Sequence, residues 1–114
     1  MLLALLVLLF CVMLAGIIFA TLGMRGRKLP LMISSLHGIA GITLIVLLVI
    51  HDLHFPHNTL VNAGTVLLML TATGGLLLFG FRAGRQPLPG IVVSLHAGFA
   101  AVALALMIVG YVRT

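Results

Sequence analysis

Acidic residues are almost missing from this chain: Asp52 stands alone in 114 residues, against six Lys and Arg. Charged residues make up only 6% of the composition and hydrophobic ones 63%. That leaves too little polar surface to cover a water-soluble core of this size, so a soluble globule is excluded. The net charge of +5 falls in short clusters between long apolar runs, a polytopic membrane distribution and not a nucleic-acid-binding groove. The basic isoelectric point reports missing acids. Tryptophan is absent and Cys11 is the only cysteine, so one chain can build neither a disulfide nor a paired-cysteine metal site or covalent cofactor attachment. Any cofactor must be held by histidine or by packing.

What is present is apolar sequence in four stretches, about Met1–Met24, Leu29–His51, Asn58–Phe81 and Leu88–Val112, each near the roughly 20 residues that cross a bilayer. The first has no basic start and is longer than a signal core, so it is expected to be a true span. The expected architecture is an all-α, four-transmembrane-helix bundle in a single domain, residues 1–114. Only three short connections remain, Arg25–Lys28, Asp52–His57 and Arg82–Pro87, so function has to sit in the bundle or at its rims.

The first connection carries Arg25, Arg27 and Lys28 and the third Arg82 and Arg85, while the second has no Lys or Arg. The positive-inside bias therefore places the basic turns in the cytoplasm and both termini outward, in an integral membrane protein expected in a bacterial cytoplasmic membrane. Arg113, a single charge at the outer end, does not outweigh five.

The two halves, about 1–57 and 58–114, can be laid on each other. Gly23-Met24-Arg25 matches Gly80-Phe81-Arg82 at an offset of 57, and after a two-residue insertion Ser35-Leu36-His37 matches Ser94-Leu95-His96 at 59. Two spans separate the copies, so the repeats are parallel, related by a pseudo-two-fold along the membrane normal.

His37 and His96 each follow a proline, Pro30 or Pro89, by seven residues, which puts both roughly 10 Å inside the cytoplasmic end and facing each other under the pseudo-two-fold. An ionisable side chain in hydrocarbon is costly and turns toward protein, partner or cofactor. Two neutral imidazoles on opposed helices suit the fifth and sixth positions of a haem iron. The alternatives are hydrogen bonding between helices, metal binding or proton passage. A macrocycle needs slim neighbours, and small residues fall at this level on every helix: Ala15 and Gly16, Gly41, Thr73, Gly74 and Gly75, and Ala100. Leu44, Leu48, Phe99, Ala103 and Met107 lie on the histidine faces as an apolar enclosure, and Ser34 is the nearest hydroxyl for His37.

His51 lies fourteen residues beyond His37, about 21 Å along the same face of one helix. Four spans with histidines so placed resemble the transmembrane b-type cytochromes, bundles whose second and fourth helices bind haem, often two haems stacked across the membrane. The resemblance rests on three histidines and the layout. It implies that His37 and His96 are one haem b ligand pair and that His51 is the second-helix ligand of another, but the repeat counterpart of His51 is Gly110. One haem is therefore expected and a second disfavoured. The outer rim also gathers Asp52, His54 and His57 beside His51, a polar hairpin that could alternatively bind a divalent metal, a quinol headgroup or an outer haem.

The expected function is electron transfer through a bis-histidine haem, to a quinone or within a larger membrane redox complex; bis-histidine ligation leaves no open iron position for oxygen chemistry. A noncatalytic accessory subunit is the alternative. The chain's size also resembles small multidrug-resistance transporters, but those need a carboxylate in the first helix, and this one has none. The orientation has its own test. In intact cells an impermeant thiol reagent should label a cysteine placed at Asn58 and spare one in Arg25–Lys28, and the reverse pattern would invert the topology.

Overall fold

The computed structural model describes all 114 residues. Its only regular elements are four α-helices, α1 (Leu2–Met24), α2 (Leu31–His54), α3 (Thr59–Ala83) and α4 (Gly90–Val112), each long and apolar enough to cross a membrane. Helix is what an apolar span has to adopt in lipid, where each backbone N–H and C=O must find its partner inside the segment. The boundaries differ from the hydropathy reading for local reasons. Pro30 and Pro89 hold extended backbone and have no N–H to give, so α2 and α4 begin one residue after them. At the other ends α2 runs on through Asp52–His54 and α3 through Arg82 and Ala83, because helix propagates past the end of the apolar run until a cap stops it.

The helices form a ring in which α1 and α3 are each flanked by α2 and α4, so that α2 and α4 face each other across one diagonal. The bundle measures 44 × 20 × 19 Å, its long axis spanning a hydrocarbon core of about 30 Å together with both interfaces. Only 16 of the 114 residues are buried, so most of the apolar surface lies on the outside and belongs in lipid.

The buried side chains are confined to one half. Leu5, Leu6 and Leu9 of α1, Leu44 and Leu48 of α2, Val61 and Leu68 of α3 and Ala103, Leu104 and Met107 of α4 form the core. These residues lie toward the start of α1 and α3 and the end of α2 and α4, the outer half in the expected orientation. No residue from Phe10 to Thr43 or from Ala72 to Phe99 is buried. The tightest contact is between α3 and α4, where a Cβ on Gly64 would stand 2.6 Å from Met107 Cγ and 3.0 Å from the Ala103 carbonyl oxygen. At the outer rim Asn58 caps α3 by accepting from Val61 N–H and donates to the Gly110 carbonyl, fixing the hairpin to α4.

The turns correct the repeat register. After α1, Gly26 takes φ +79°, with Gly26 N–H bonded to Gly23 O and Arg27 N–H to Leu22 O. After α3, Arg85 takes φ 55°, with Arg85 N–H bonded to Arg82 O and Gln86 N–H to Phe81 O. Both are Schellman closures, and each atom of one maps on the other at an offset of 59. The helix ends Met24 and Ala83 and the starts Leu31 and Gly90 obey the same offset. The expected two-residue insertion is therefore absent. The Gly-x-Arg match at 57 is a composition effect of two basic turns, and Arg82 is instead a clasp, its Nη2 donating to the Leu29 carbonyl at 2.6 Å.

Gly64→Ala is expected to destabilise the bundle by about 1–3 kcal/mol through overpacking against the Ala103 backbone. Gly98→Ala, whose Cβ meets nothing within 4 Å, should be neutral or gain about 0.5–1 kcal/mol of helix propensity. Unfolding of both variants in mixed detergent checks the contrast.

Candidate functional site

His37 and His96 project from the diagonal helices α2 and α4 to the same level, their ring centroids 6.5 Å apart and their planes at 70°. Each ring rests on a glycine of the preceding helix. A Cβ on Gly16 would lie 2.9 Å from His37 Cε1, and a Cβ on Gly75 would lie 2.9 Å from His96 Cε1. Gly16 and Gly75 are themselves 59 residues apart, so each histidine follows its glycine by 21 residues. The repeat thus delivers two equivalent half-sites, each a helix-borne imidazole in the space where its neighbour lacks a side chain.

The half-sites differ in what the second ring nitrogen does. His96 Nδ1–H donates to the Thr71 carbonyl oxygen at 2.8 Å, which assigns the tautomer and leaves Nε2 with a free lone pair. His37 Nδ1 is buried and has no partner; Ser34, expected to serve it, does not bond it. Phe19 packs edge-on against His37 at 6.0 Å between centroids. Beside His37 the space between α1 and α2 opens as a groove of about 400 Å³, bordered by Cys11, Ala15, Phe19, Ile33 and Ala40, with His37 its only titratable wall apart from the thiol.

The other expected site residues distribute unevenly. Gly74 lies near His96, its Cβ position 3.9 Å from the ring, and Ala100 is buried. Gly41 meets no side chain within 4 Å of its Cβ position, so nothing in the chain presses on it. Thr73 is exposed, and its hydroxyl bonds back to the Met69 carbonyl. The reason is helical phase: Thr71 and Gly75, four residues apart, share the inward face, and at 100° per residue Thr73 points the other way. Thr71 is the His96 contact that side-chain reasoning misses, because it bonds the ring through its backbone carbonyl; its signal is the four-residue step from Gly75. In the expected enclosure Leu44, Leu48, Ala103 and Met107 are buried, whereas Phe99 is 39% exposed and turned toward lipid.

The outer cluster does not assemble. No group of three or more His, Cys, Asp or Glu side chains converges as a metal site. His51 is buried, stacks on Phe55 at 4.9 Å and donates through Nδ1 to Asp52 at 3.3 Å; His54 Nδ1–H donates to the Ile50 carbonyl, and His57 is exposed. Opposite, Gly110 is filled by Asn58, Val61 and Leu60. This level is packed by α3 against α4.

The donor set at the inner level can be tested for metal ligation on its own chemistry. Two imidazoles sharing one ion, each bonded at about 2 Å, have ring centres roughly 6–7 Å apart, and the separation here is 6.5 Å. The His96 ring has the second hydrogen bond, to a carbonyl, that ligating histidines characteristically make. The ring separation and the His96 hydrogen bond are those a bis-imidazole metal centre would need, although the His37 Cε1–Nε2 edge lies against Gly16. Comparisons with protein-family models, with curated proteins and with solved structures give no match, so the geometry carries the functional reading.

Gly75→Val is expected to push the His96 ring off its seat and break the Thr71 bond, while Gly74→Ala is tolerated. Nitrogen-15 spectra of histidine-labelled protein in micelles should then show a changed His96 Nδ1 resonance in the first variant only, with His37 nearly unmoved.

Proposed function

We propose that this chain is a membrane-embedded b-type cytochrome domain that carries electrons through one haem b held between His37 and His96. The observation supporting it is a pair of imidazoles at one depth, each seated on a glycine, at the edge of the bundle's packed half. Haem, if bound, would be held by His37 and His96 and would supply a one-electron iron couple. The protein's part is to hold and insulate. The Thr71 carbonyl orients the His96 imidazole and raises its basicity as a ligand. Leu44, Leu48, Ala103 and Met107 close the outer side of the site with apolar side chains and exclude water from it. Gly16, Gly74 and Gly75 keep α1 and α3 slim beside the rings, and Gly41 and Ala100 do so one turn further along α2 and α4.

Electron partners come to such a domain within the membrane. The apolar exterior and the short connections leave quinone or other membrane redox subunits as the donors and acceptors, in keeping with a subunit of a larger complex and not a stand-alone enzyme. Basic turns in the cytoplasm of a bacterial cell, with both termini outward, complete the proposal. A small transporter is the weaker reading, since α1 carries no acid to couple to an ion.

Protein purified in detergent should show Soret and alpha bands that sharpen on dithionite reduction, at about one haem per chain. His37→Ala or His96→Ala should abolish the low-spin spectrum. His51→Ala should leave it unchanged, because about 21 Å of helix separates the two levels. A folded sample with no reducible bands after haem supplementation overturns the proposal.

A further inference from the structure

The two half-sites share backbone, glycine seat and depth but not their surroundings. His96 is held at three points: its own helix, the Gly75 surface and the Thr71 carbonyl at 2.8 Å. Its helix, α4, is clamped on α3 about 16 Å further along, where Gly64 meets Met107 and Ala103. His37 has the seat on Gly16 and an edge contact from Phe19, but its Nδ1 has no partner and its flank is the groove of about 400 Å³ between α1 and α2. That groove is bordered by small or apolar side chains, Ala15 and Ala40 among them, and opens on the lipid face. A ring with an anchored second nitrogen is a stronger and better-oriented ligand than one without, and outer hydrogen-bond partners are commonly worth 10–100-fold in metal affinity.

From this asymmetry we infer that His96 is the permanent ligand of the pair and His37 the exchangeable one, so that a small neutral donor molecule reaching the site from the α1–α2 groove can take the place of His37. The inference rests on the haem reading above and specifies which side of that site is open to a ligand. The ligand class is set by the groove: compact and uncharged, such as neutral imidazole or a diatomic.

The test compares His37→Ala and His96→Ala proteins loaded with haem. His37→Ala should retain haem as a high-spin, five-coordinate species, return to a low-spin spectrum on addition of imidazole and bind carbon monoxide when reduced. His96→Ala should bind haem 10–100-fold more weakly and fail to recover its spectrum with imidazole. Equal loss in both variants, or rescue of His96→Ala in place of His37→Ala, overturns the assignment. A second measurement needs neither variant nor haem: nitrogen-15 spectra of the wild-type protein should show His96 as a single tautomer protonated at Nδ1 and His37 without that fixed proton. Indistinguishable tautomer states would overturn the asymmetry even if the haem reading holds. Wild-type protein that binds no haem would defeat the haem reading, and with it the exchangeable-ligand assignment.

Discussion

The contact on which this bundle turns is an imidazole ring lying where a Cβ would be. At Gly16 and again at Gly75 the neighbouring histidine ring comes so close that any side chain would place its first carbon 2.9 Å from Cε1. A glycine in mid-helix costs about 0.5–1 kcal/mol relative to alanine, and here the missing carbon is what lets α1 sit beside α2 and α3 beside α4 with a ring between them. With both rings seated, α2 and α4 are set on opposite corners of the ring of helices and the two imidazoles face inward at one level. The Schellman closures at Gly26 and Arg85 and the prolines at 30 and 89 then fix how far each chain travels between its glycine and its histidine, and the interval is 21 residues in both halves.

Packing is divided along the membrane normal. The outer half is closed by leucines and by the α3–α4 contact, and in the inner half the histidines have buried neighbours only on their outer side, at Thr71 and Ala100. This division has a mechanical meaning. A well-packed half keeps the four helices in register as a unit, and the slack half is where side chains can rearrange around a bound group without unfolding the bundle. Arg82, donating to the Leu29 carbonyl, limits that freedom by tying α3 to the turn before α2 at the histidine end of the bundle.

Much of this was legible in the sequence. Four apolar runs, a deficit of acids and two histidines seven residues after prolines are one-dimensional signals, and helices in lipid obey them closely because the backbone has few alternatives. The depth match of His37 and His96, the slim residues at Gly16, Gly74 and Ala100, and the burial of Leu44 and Met107 follow from helical periodicity alone. The failures have separate causes. Placing Thr73 at the site follows depth along α3 without its helical phase, and reading an insertion into the repeat follows residue types, whereas the structure repeats by geometry: Gly26 and Arg85 are chemically unlike but occupy the same left-handed position. Phe99 was assigned by spacing to a face wide enough to include lipid. Thr71 was illegible because its contribution is a carbonyl that every residue possesses.

The difference between the half-sites nonetheless has a source in the sequence. At the offset of 59, Thr65, Thr71 and Thr73 of α3 stand where α1 has Leu6, Val12 and Leu14. All three threonine hydroxyls bond back to the carbonyl four residues earlier, to Val61, Leu67 and Met69. Such bonds compete with the helix's own ladder and bend it slightly. On α3 this acts at the turn whose carbonyl receives His96, while α1 has no hydroxyl in the same stretch and His37 Nδ1 finds no partner there. Val12 has a carbonyl in the same place as Thr71, so its mere presence does not decide the bond. What differs is the helix that carries it and the closeness of its partner: α3 is drawn onto α4 through Gly64 and Gly110, whereas α1 and α2 leave a groove between them. The two halves thus differ in how closely the helices pack around the histidine while both histidines and both glycines are in place.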